Sequence, residues 1–271
     1  MCGRYVSARK RLELLEEFAV ERDKVAEDRR PDYNVAPTKQ VYAVLERTEK
    51  DSGGSPKEQQ KPERELRLLK WGLVPSWAKD SAGGARLINA RAETVAVKPS
   101  FRSAFAKRRC IIPADGYYEW QAGADRKSKQ PYYIYRSDGG ILCFAGIYEL
   151  WRDGSVPPDD ESAWLWTTSI ITTDATDEIG QIHDRTPMVI APESWDDWLD
   201  PANNDKSLMM AMMAPATTSG SGGLTSHRVS TAVNSVRHNG PDLIEPLAPG
   251  TEPGAPAGDG ASGHGEGSSL F

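Results

Sequence analysis

The stretch CIIPADGYYEW, residues 110–120, decides the fold class because an apolar, β-branched run gives way to proline, glycine and then aromatic residues. Its first part, CIIPA, is typical of a short strand. Five further runs have the same character: VYAVLE (41–46), LRLLKW (66–71), YYIYR (132–136), ILCFAGIYEL (141–150) and WLWTTSII (164–171). Glycine, proline, aspartate and serine separate these runs, so the sequence predicts many short strands.

Helical patterns are fewer. In SARKRLELLEEFAV, residues 7–20, apolar side chains recur every three or four positions from Leu12 to Ala19, which predicts an amphipathic helix that starts after Ser7 and packs on the core. The stretches KPSFRSAFAKR (98–108) and PESWDDWLD (192–200) predict two short helices. Many strands with few helices indicate the α+β class.

We expect one domain over residues 2–245. The polar stretches 49–65, 152–162 and 217–223 are typical of surface loops. From Pro246 onward proline, glycine, alanine and serine dominate, with only Leu247, Leu270 and Phe271 as large apolar side chains. Residues 246–271 are therefore predicted to be a disordered tail.

The composition excludes several classes of protein. Of the 271 residues, 38% are hydrophobic, which is enough for a core, yet no apolar run approaches the length of a membrane span. The first residues lack the apolar segment of a secretory signal. We expect a soluble, cytoplasmic monomer with no membrane partner.

Cysteine and histidine usage predicts no metal and no cofactor. The three cysteines form no CxxC pair, and their odd number without an export signal predicts reduced thiols. Cys110 and Cys143 lie in apolar runs and are expected to be inert core thiols. His227, His238 and His264 show no metal-ligand spacing with the thiols.

The net charge of −6 taken alone disfavours a nucleic-acid partner. A local excess of positive charge nevertheless lies between residues 86 and 109, where seven basic side chains accompany Glu93 alone. They are Arg86, Arg91, Lys98, Arg102, Lys107, Arg108 and Arg109. This segment is either a solvated basic face or a surface for phosphates.

Cys2 follows the initiator methionine, so removal of Met1 would leave its thiol beside a free α-amine. Such a pair condenses with an aldehyde to an imine, and the thiol then closes a five-membered thiazolidine ring. Because both nucleophiles sit on one residue, closure gains from effective molarities on the order of 10⁵ M. The alternative is an accidental cysteine at a frayed end.

Three later stretches favour a catalytic role for Cys2 over an accidental cysteine. In LINARAET, Asn89, Arg91 and Glu93 are predicted to alternate on one face of an extended run. Glu119 stands among the aromatic residues of GYYEW, where desolvation raises a carboxyl pKa towards the range of an acid/base group. His183 precedes an apolar strand in GQIHDRTPMVI. Taken singly, these residues could also be a turn, an ion pair and a capped loop.

Seven motifs in this order closely resemble the SOS response-associated peptidase (SRAP) family: MCGRY, WGLVPSWA, INARAET, CIIPADGYYEW, FAGIYE, IHDRTPMVI and VSTAVNS. The resemblance runs from Cys2 to about Pro246. It implies an α+β fold in which a barrel-like antiparallel sheet is flanked by short helices and holds the cysteine in a central groove. It also implies a DNA-damage protein that binds single-stranded DNA and cross-links its N-terminal cysteine to an abasic site.

The resemblance also assigns roles in the reaction. Cys2 matches the cross-linking residue, and Asn89 matches the polar group that orients it. Glu119 matches the acid/base carboxylate and His183 the histidine on the sugar side. An abasic deoxyribose is mostly a closed hemiacetal, and imidazole suits the proton transfers that open it. The carboxyl then suits imine formation and ring closure, and by microscopic reversibility it should also help the adduct to reopen.

The same resemblance indicates residues that hold DNA. Guanidinium groups grip phosphate and position the backbone without reading sequence. Pro37, in NVAPT, resembles the family's wedge against a second strand, in a loop shaped by Asn34. Aromatic rings could stack on the bases that flank the lesion. The predicted DNA-binding residues are Arg4, Pro37, Trp71, Trp77, Arg91, Trp120 and Arg185, with core packing as the alternative for the two tryptophans of WGLVPSWA.

Two other functions remain open at this point. In an N-terminal-nucleophile hydrolase the Cys2 thiolate would attack an amide with its own α-amine as base, which would account for a peptidase that removes its own first methionine. In a non-catalytic single-strand binder, Cys2 would have no part in any DNA-dependent property.

Overall fold

A computed structural model describes residues 2–48, 61–123, 128–157, 159–175, 177–216 and 223–248. The predicted tail beyond residue 248 and most of the predicted loops 49–65 and 217–223 lie outside these residues. The strands in the described part are β1 (Tyr5–Ser7), β2 (Arg22–Asp23), β3 (Asp32–Val35), β4 (Gln40–Arg47), β5 (Glu63–Trp71), β6 (Asn89–Arg91), β7 (Arg109–Ala114), β8 (Gly116–Ala122), β9 (Lys129–Arg136), β10 (Leu142–Arg152), β11 (Trp164–Asp174), β12 (Arg185–Ile190), β13 (Met213–Pro215) and β14 (Leu224–Arg228). The helices are α1 (Arg11–Glu17), α2 (Ala92–Val95), α3 (Arg102–Lys107), α4 (Trp195–Leu199) and α5 (Lys206–Met212).

The larger sheet contains a closed ring of strands. Its path runs β10, β7, β4, β5 and β11, and β11 pairs again with β10. Apart from Ile141, which precedes β10, the six predicted strands lie within β4, β5, β7, β9, β10 and β11, so these predictions and the α+β class are confirmed. Pairing is antiparallel for most strands, as expected, but β11 runs parallel to both β5 and β6, and β2 runs parallel to β5.

A smaller sheet, in the order β14, β9, β8, β1 and β3, brings the first residues of the chain against the ring. β1 lies between β3 and β8, with Tyr5 opposite both Val35 and Tyr117. One apolar cluster joins β1, β8 and the ring strands, and Cys2, Tyr5 and Trp71 belong to it. The start of the chain is therefore part of the core, and this places Cys2.

Helix α1 begins at Arg11, later than the predicted start after Ser7. Its core contacts come from Leu14 and Phe18, whereas Leu12 is 67% exposed. Leu12 stands two positions before Leu14, which places it on the opposite face of a helix. The predicted apolar stripe is thus wrong at Leu12. The helices predicted within 98–108 and 192–200 are confirmed as α3 and α4.

The segment between β5 and β6 carries a glycine contact that shapes the approach to Asn89. Gly72 has φ of +130°, a conformation that side chains rarely adopt, and a Cβ on it would lie 2.7 Å from the carbonyl oxygen of Gly84. A Cβ on Gly84 would meet the Gly72 carbonyl oxygen at the same distance. Only glycine at both positions lets these backbones meet.

Arg109 is buried at 2% exposure, so it does not belong to the basic surface that the charge count suggested. Its guanidinium donates to five backbone carbonyls, those of Phe105, Ala106, Trp198, Asp200 and Asn203. These carbonyls lie in or after the last turns of α3 and α4, where helix carbonyls lack internal partners. Arg109 therefore joins the C-terminal ends of two helices.

Cys110 and Cys143 are free and buried, on strands β7 and β10. Burial raises the pKa of each thiol to about 12, which keeps both thiols protonated near neutral pH. Both therefore lie where inert core thiols were expected.

Candidate active site

Cys2 lies fully buried just before β1. Its carbonyl oxygen accepts a hydrogen bond of 2.8 Å from Nδ2 of Asn89, the first residue of β6. Asn89 is in this place because β6 pairs with β11, where Asn89 stands opposite Ile170. The other amide atom of Asn89, Oδ1, is buried and has no hydrogen-bond partner within the described residues. It is an available acceptor beside Cys2.

The Cys2 thiol is held in its protonated form. Burial raises its pKa well above the ordinary value, and the charge of Glu119 raises it further. A thiol in this environment is a poor nucleophile until a base removes its proton.

The Glu119 carboxyl group has the properties of an acid/base group that works near neutral pH. It lies on β8, opposite Tyr132, and is only 1% exposed. Burial raises its pKa to about 7, as its aromatic surroundings predicted. Both the acid and its conjugate base are therefore populated near neutral pH.

His183 faces Glu119 from the turn before β12. Its Nε2 lies 3.9 Å from Oε2 of Glu119. The backbone N–H of Arg185 donates to its Nδ1 at 3.0 Å, so the neutral ring carries its proton on Nε2, towards Glu119. Burial lowers the pKa of His183, which favours the neutral ring near pH 7. The Asp184 carboxylate lies 3.0 Å from Nδ1, and its negative charge partly opposes this lowering of the His183 pKa.

The structure thus brings Cys2, Asn89, Glu119 and His183 together from four separate parts of the chain. The extended run predicted through Glu93 is wrong, because α2 begins at Ala92 and ends the alternation after Arg91.

Arg185 does not present its charge to solvent. Its side chain is 9% exposed, and its guanidinium contacts Glu93 and Asp174. It also donates to the carbonyl oxygen of Thr172 at 2.6 Å. The guanidinium donors are thus engaged by Glu93, Asp174 and Thr172, and the role of Arg185 in gripping phosphate stays a prediction. Arg91, in contrast, is exposed at the end of β6.

Arg4 connects the site to the C-terminal part of the chain. Its Nη1 donates at 2.7 Å to Oδ1 of Asn34 and to the carbonyl oxygen of Val233. Asn34 is fully buried, and its amide donates in turn to the carbonyl oxygens of Ser235 and His238. Asn34 thus joins β3, the strand that leads into the Pro37 turn, to the 233–238 segment.

The three tryptophans predicted to stack on bases differ in exposure. Trp71 is fully buried, with Nε1 donating to the carbonyl oxygen of Ile88 at 2.9 Å, so the prediction that it stacks on a base is wrong. Trp77 is 67% exposed. Trp120 is half-buried, and the Arg4 guanidinium carbon lies 5.7 Å from its ring centre. Its Nε1 donates to Oδ1 of Asn234 at 2.7 Å.

Pro37 lies half-buried in the tight turn between β3 and β4, where Lys39 donates its backbone N–H to the carbonyl oxygen of Ala36. Thr38, the next residue, has φ of 72°. A proline followed by a residue with positive φ is the arrangement of a type II turn. The turn is fastened to the core because the Thr38 N–H donates to the carbonyl oxygen of Trp71 at 2.8 Å.

The sequence model of the family described as "SOS response associated peptidase (SRAP)" matches residues 1–236. This chain belongs to the SRAP family. The resemblance inferred from the seven motifs is confirmed.

Relatives within the SRAP family span most of this chain. The abasic site processing protein YoqW of Bacillus subtilis is 36% identical over 245 residues, which cover 90% of this chain and 99% of YoqW. The abasic site processing protein HMCES of Gallus gallus is 33% identical over 243 residues, covering 80% of this chain and 67% of that protein. A solved structure from Bacteroides thetaiotaomicron superposes with a TM-score of 0.71 at 26% identity, covering 91% of this chain and 100% of that one.

Two features are absent from the described residues. Within them, no three histidine, cysteine, aspartate or glutamate side chains are grouped as metal ligands would be. None of the helices there combines the length and apolar character needed to cross a membrane.

Three contacts of this SRAP site were missed from the sequence. Asn234 holds the edge of the Trp120 indole, Val233 holds Arg4, and Glu93 binds Arg185. Asn234 and Val233 lie in the motif VSTAVNS, which was noted only for its resemblance. That motif was the available signal, but which distant side chains it meets depends on how the segment after β14 packs against the other strands of the smaller sheet.

Proposed function

We propose that this protein binds single-stranded DNA at abasic sites and forms a covalent cross-link to the lesion through Cys2 after Met1 is removed. The observation that carries the proposal is the grouping of Cys2 and Asn89 with a Glu119–His183 pair whose side-chain atoms approach to 3.9 Å. The names of the relatives YoqW and HMCES, both abasic site processing proteins, support the same lesion as substrate.

The reaction starts at the closed sugar. In its charged form His183 gives its Nε2 proton to the ring oxygen of the hemiacetal, which breaks the C1′–O4′ bond. The Glu119 carboxylate takes the hydroxyl proton from C1′ and returns it to His183. An aldehyde results. The α-amine of Cys2 then adds to C1′. Both of its protons leave with the carbonyl oxygen as water, one of them relayed by Glu119 as the acid, and an imine remains.

Ring closure completes the adduct. The sulfur of Cys2 adds to the imine carbon, while Glu119 as carboxylate takes the thiol proton and returns one to nitrogen. One C–S bond and one N–H bond form, and the overall condensation releases one water. The raised pKa of the thiol means that the amine acts first and the sulfur second. This order favours condensation with an aldehyde over the thiolate attack that a hydrolase requires.

Glu119 is also the group we propose for reversal, because a carboxyl that protonates nitrogen can reopen the ring. We assign the protein to the abasic-site-processing cross-linking enzymes, lyase-like in the imine step. Removal of its own Met1 is the one peptidase-like step we propose. We propose that the protein acts as a monomer in the cytoplasm. The reaction would need only the one domain over residues 2–245.

The DNA is proposed to lie along a face that includes Arg91, Pro37, Trp77 and Trp120. Five basic side chains of the segment 86–109 are exposed and could follow the phosphates: Arg86, Arg91, Lys98, Arg102 and Lys107. The exposed ring of Trp77 offers a stacking platform worth about 1 to 3 kcal/mol for one base.

The test of the proposed function is a cross-linking assay. The purified protein is incubated with a single-stranded oligonucleotide that contains one abasic site, then heated and run on a denaturing gel. We expect a shifted, heat-stable band with the parent protein and none with Cys2→Ala. Cys143→Ala, which removes another buried thiol, is the matched control and should cross-link like the parent.

Mass spectrometry of the intact protein must accompany the gel, because only chains without Met1 can react. A parent protein that lacks Met1 and still gives no band would overturn the proposal. So would a heat-stable band formed by protein whose first nitrogen is permanently acetylated, since an amide cannot become an imine.

Arg91 provides a prediction about DNA affinity. Arg91→Gln is expected to weaken binding to intact single-stranded DNA and to reduce the slope of log affinity against log salt by about 0.7, the share of one phosphate contact. Fluorescence anisotropy at several salt concentrations measures both. Arg152→Gln is the control, because Arg152 pairs with Trp164, far along β11 from the partner of Asn89. An unchanged slope in Arg91→Gln would remove Arg91 from the phosphate contacts.

A further inference from the structure

Three neighbouring strands, β6, β11 and β12, position Asn89 on one side of the site and His183 on the other. β11 lies between β6 and β12, with Thr172 opposite Arg91 on one side and Asp174 opposite Arg185 on the other. Asn89 belongs to the β6 side, whereas His183 precedes β12. The spacing of Asn89 and His183 therefore depends on how firmly β6 and β12 are held across β11.

One ion pair spans these three strands. Glu93, in α2 directly after β6, places Oε1 2.9 Å from Nη1 of Arg185 and Oε2 3.3 Å from Nη2. Two such parallel contacts fix both the distance and the orientation of the two groups. The hydroxyl of Thr173, on β11 between them, is 3.4 Å from Oε1 of Glu93. Hydrogen bonding to Arg185 holds the pKa of Glu93 below its usual range.

The same arginine also holds His183. The Arg185 backbone N–H donates to Nδ1 of His183 at 3.0 Å, which sets the tautomer that points Nε2–H at Glu119. The Arg185 side chain is 9% exposed, and Thr172 accepts from it as well, so its main chain has little freedom.

We propose that Glu93 is a positioning residue, whose carboxylate holds Arg185, and through it the His183 ring, at a set distance from the strand that carries Asn89. This inference rests on the proposed function, because it assigns Glu93 to the sugar-opening step. Glu93 does not touch the lesion in this scheme. It acts through Arg185, which binds Glu93 by its side chain and His183 by its backbone N–H.

A simple surface ion pair would have small effects, because such pairs contribute about 0 to 1 kcal/mol. A positioning role predicts a specific kinetic effect instead. Misplacement of a catalytic group by a fraction of an ångström slows its own step, while binding through other residues persists. The slowed step here is ring opening, which an aldehyde that cannot cyclise does not require.

The experiment compares Glu93→Gln with the parent on two single-stranded oligonucleotides, one with a deoxyribose abasic site and one with an open-chain aldehyde. On the abasic site we expect the maximal cross-linking rate to fall about tenfold, with the half-saturating protein concentration within about twofold of the parent value. On the open-chain aldehyde the two proteins should react at equal rates. A double variant that combines Glu93→Gln with Arg185→Lys should react no more slowly than the slower of the two single variants. Both single changes disrupt the same Glu93–Arg185 contact, so their effects should not add.

Asp174→Asn is the matched control. Asp174 contacts the same guanidinium at 2.5 Å, but it lies on β11 and does not reach β6 or α2, so its rates should stay within about twofold of the parent.

Four outcomes would overturn the inference while the parent still cross-links. They are an unchanged rate for Glu93→Gln on the abasic site, equal slowing on both oligonucleotides, a double variant slowed by the product of the two single effects, and tighter DNA binding with an unchanged rate. The last would make Arg185 a phosphate ligand restrained by Glu93. If the parent forms no adduct with either oligonucleotide, the proposed function itself fails.

Discussion

Glu119→Gln is expected to yield a protein that is more stable than the parent at pH 8 and yet nearly inert towards abasic DNA. The loss of rate should be on the order of 10² to 10⁴-fold, the usual contribution of one general acid/base group. An amide of the same shape cannot move the protons that imine formation and ring closure require.

The gain in stability follows from the sign of the pKa shift. Burial raises the pKa of Glu119 from 4.5 to about 7 in the folded protein. Between these values the unfolded chain has lost its proton while the folded protein keeps it, so stability falls as pH rises through this window and stays low above it. The difference corresponds to about 3 kcal/mol, which glutamine does not incur.

Urea denaturation at pH 4 and pH 8 measures this effect. The two proteins should be about equally stable at pH 4, and Glu119→Gln should be the more stable at pH 8. Glu149→Gln is the control, because Glu149 is also buried but has Arg108 at 2.7 Å as an ion partner. It should lose stability at pH 8 and keep its cross-linking rate. A Glu119→Gln variant that cross-links at the parent rate would remove Glu119 from the reaction.

Arg109→Met should be the most destabilising single change among the basic residues of the segment 86–109. It leaves five buried or part-buried carbonyl oxygens without their donor, and each buried acceptor left without a partner costs about 1 to 3 kcal/mol. Allowing for water at the rim, we expect a loss of about 3 to 5 kcal/mol. Arg109→Lys should recover part of it, since an ammonium has three donors in place of five.

The neighbouring Arg108 provides the comparison for denaturant unfolding. It is half-buried and bonds Glu149 and Ser103 through Nη2, so Arg108→Met should cost less than Arg109→Met. If Arg109→Met unfolds at the same denaturant concentration as Arg108→Met, the five carbonyl contacts do not stabilise the fold as argued.

The strands were predictable because each carries its own apolar signal between turn residues, and apart from Ile141 the six runs proposed from sequence lie in strands. The raised pKa of Glu119 was predictable for a similar local reason, since its neighbours in the sequence are aromatic. Parallel pairing of β11 with β6 was not predictable, because the residues that meet, such as Ile170 and Asn89, are far apart in the chain.

The surface charges show the limit of reading a sequence by residue type. All three of the arginines predicted or counted as basic surface carry the same side chain, yet their surroundings differ. Arg91 is exposed, Arg109 donates to carbonyl oxygens, and Arg185 is held by two carboxylates. The partners of Arg109 come from α4 and the residues after it, and Arg185 meets Glu93 across β11. Such long-range partners arise from the tertiary fold and leave no local pattern.

The hydrogen bonds from Arg4 and Asn34 to the 233–238 segment have a consequence for biosynthesis. A nascent chain that has emerged only through β12 lacks the carbonyl groups on which these two side chains depend. The reactive end, made first, is completed by the part made almost last. The hydrogen bonds that hold Arg4 and Asn34 are completed only after His238 has left the ribosome, so the region around Cys2 reaches its final packing late in synthesis.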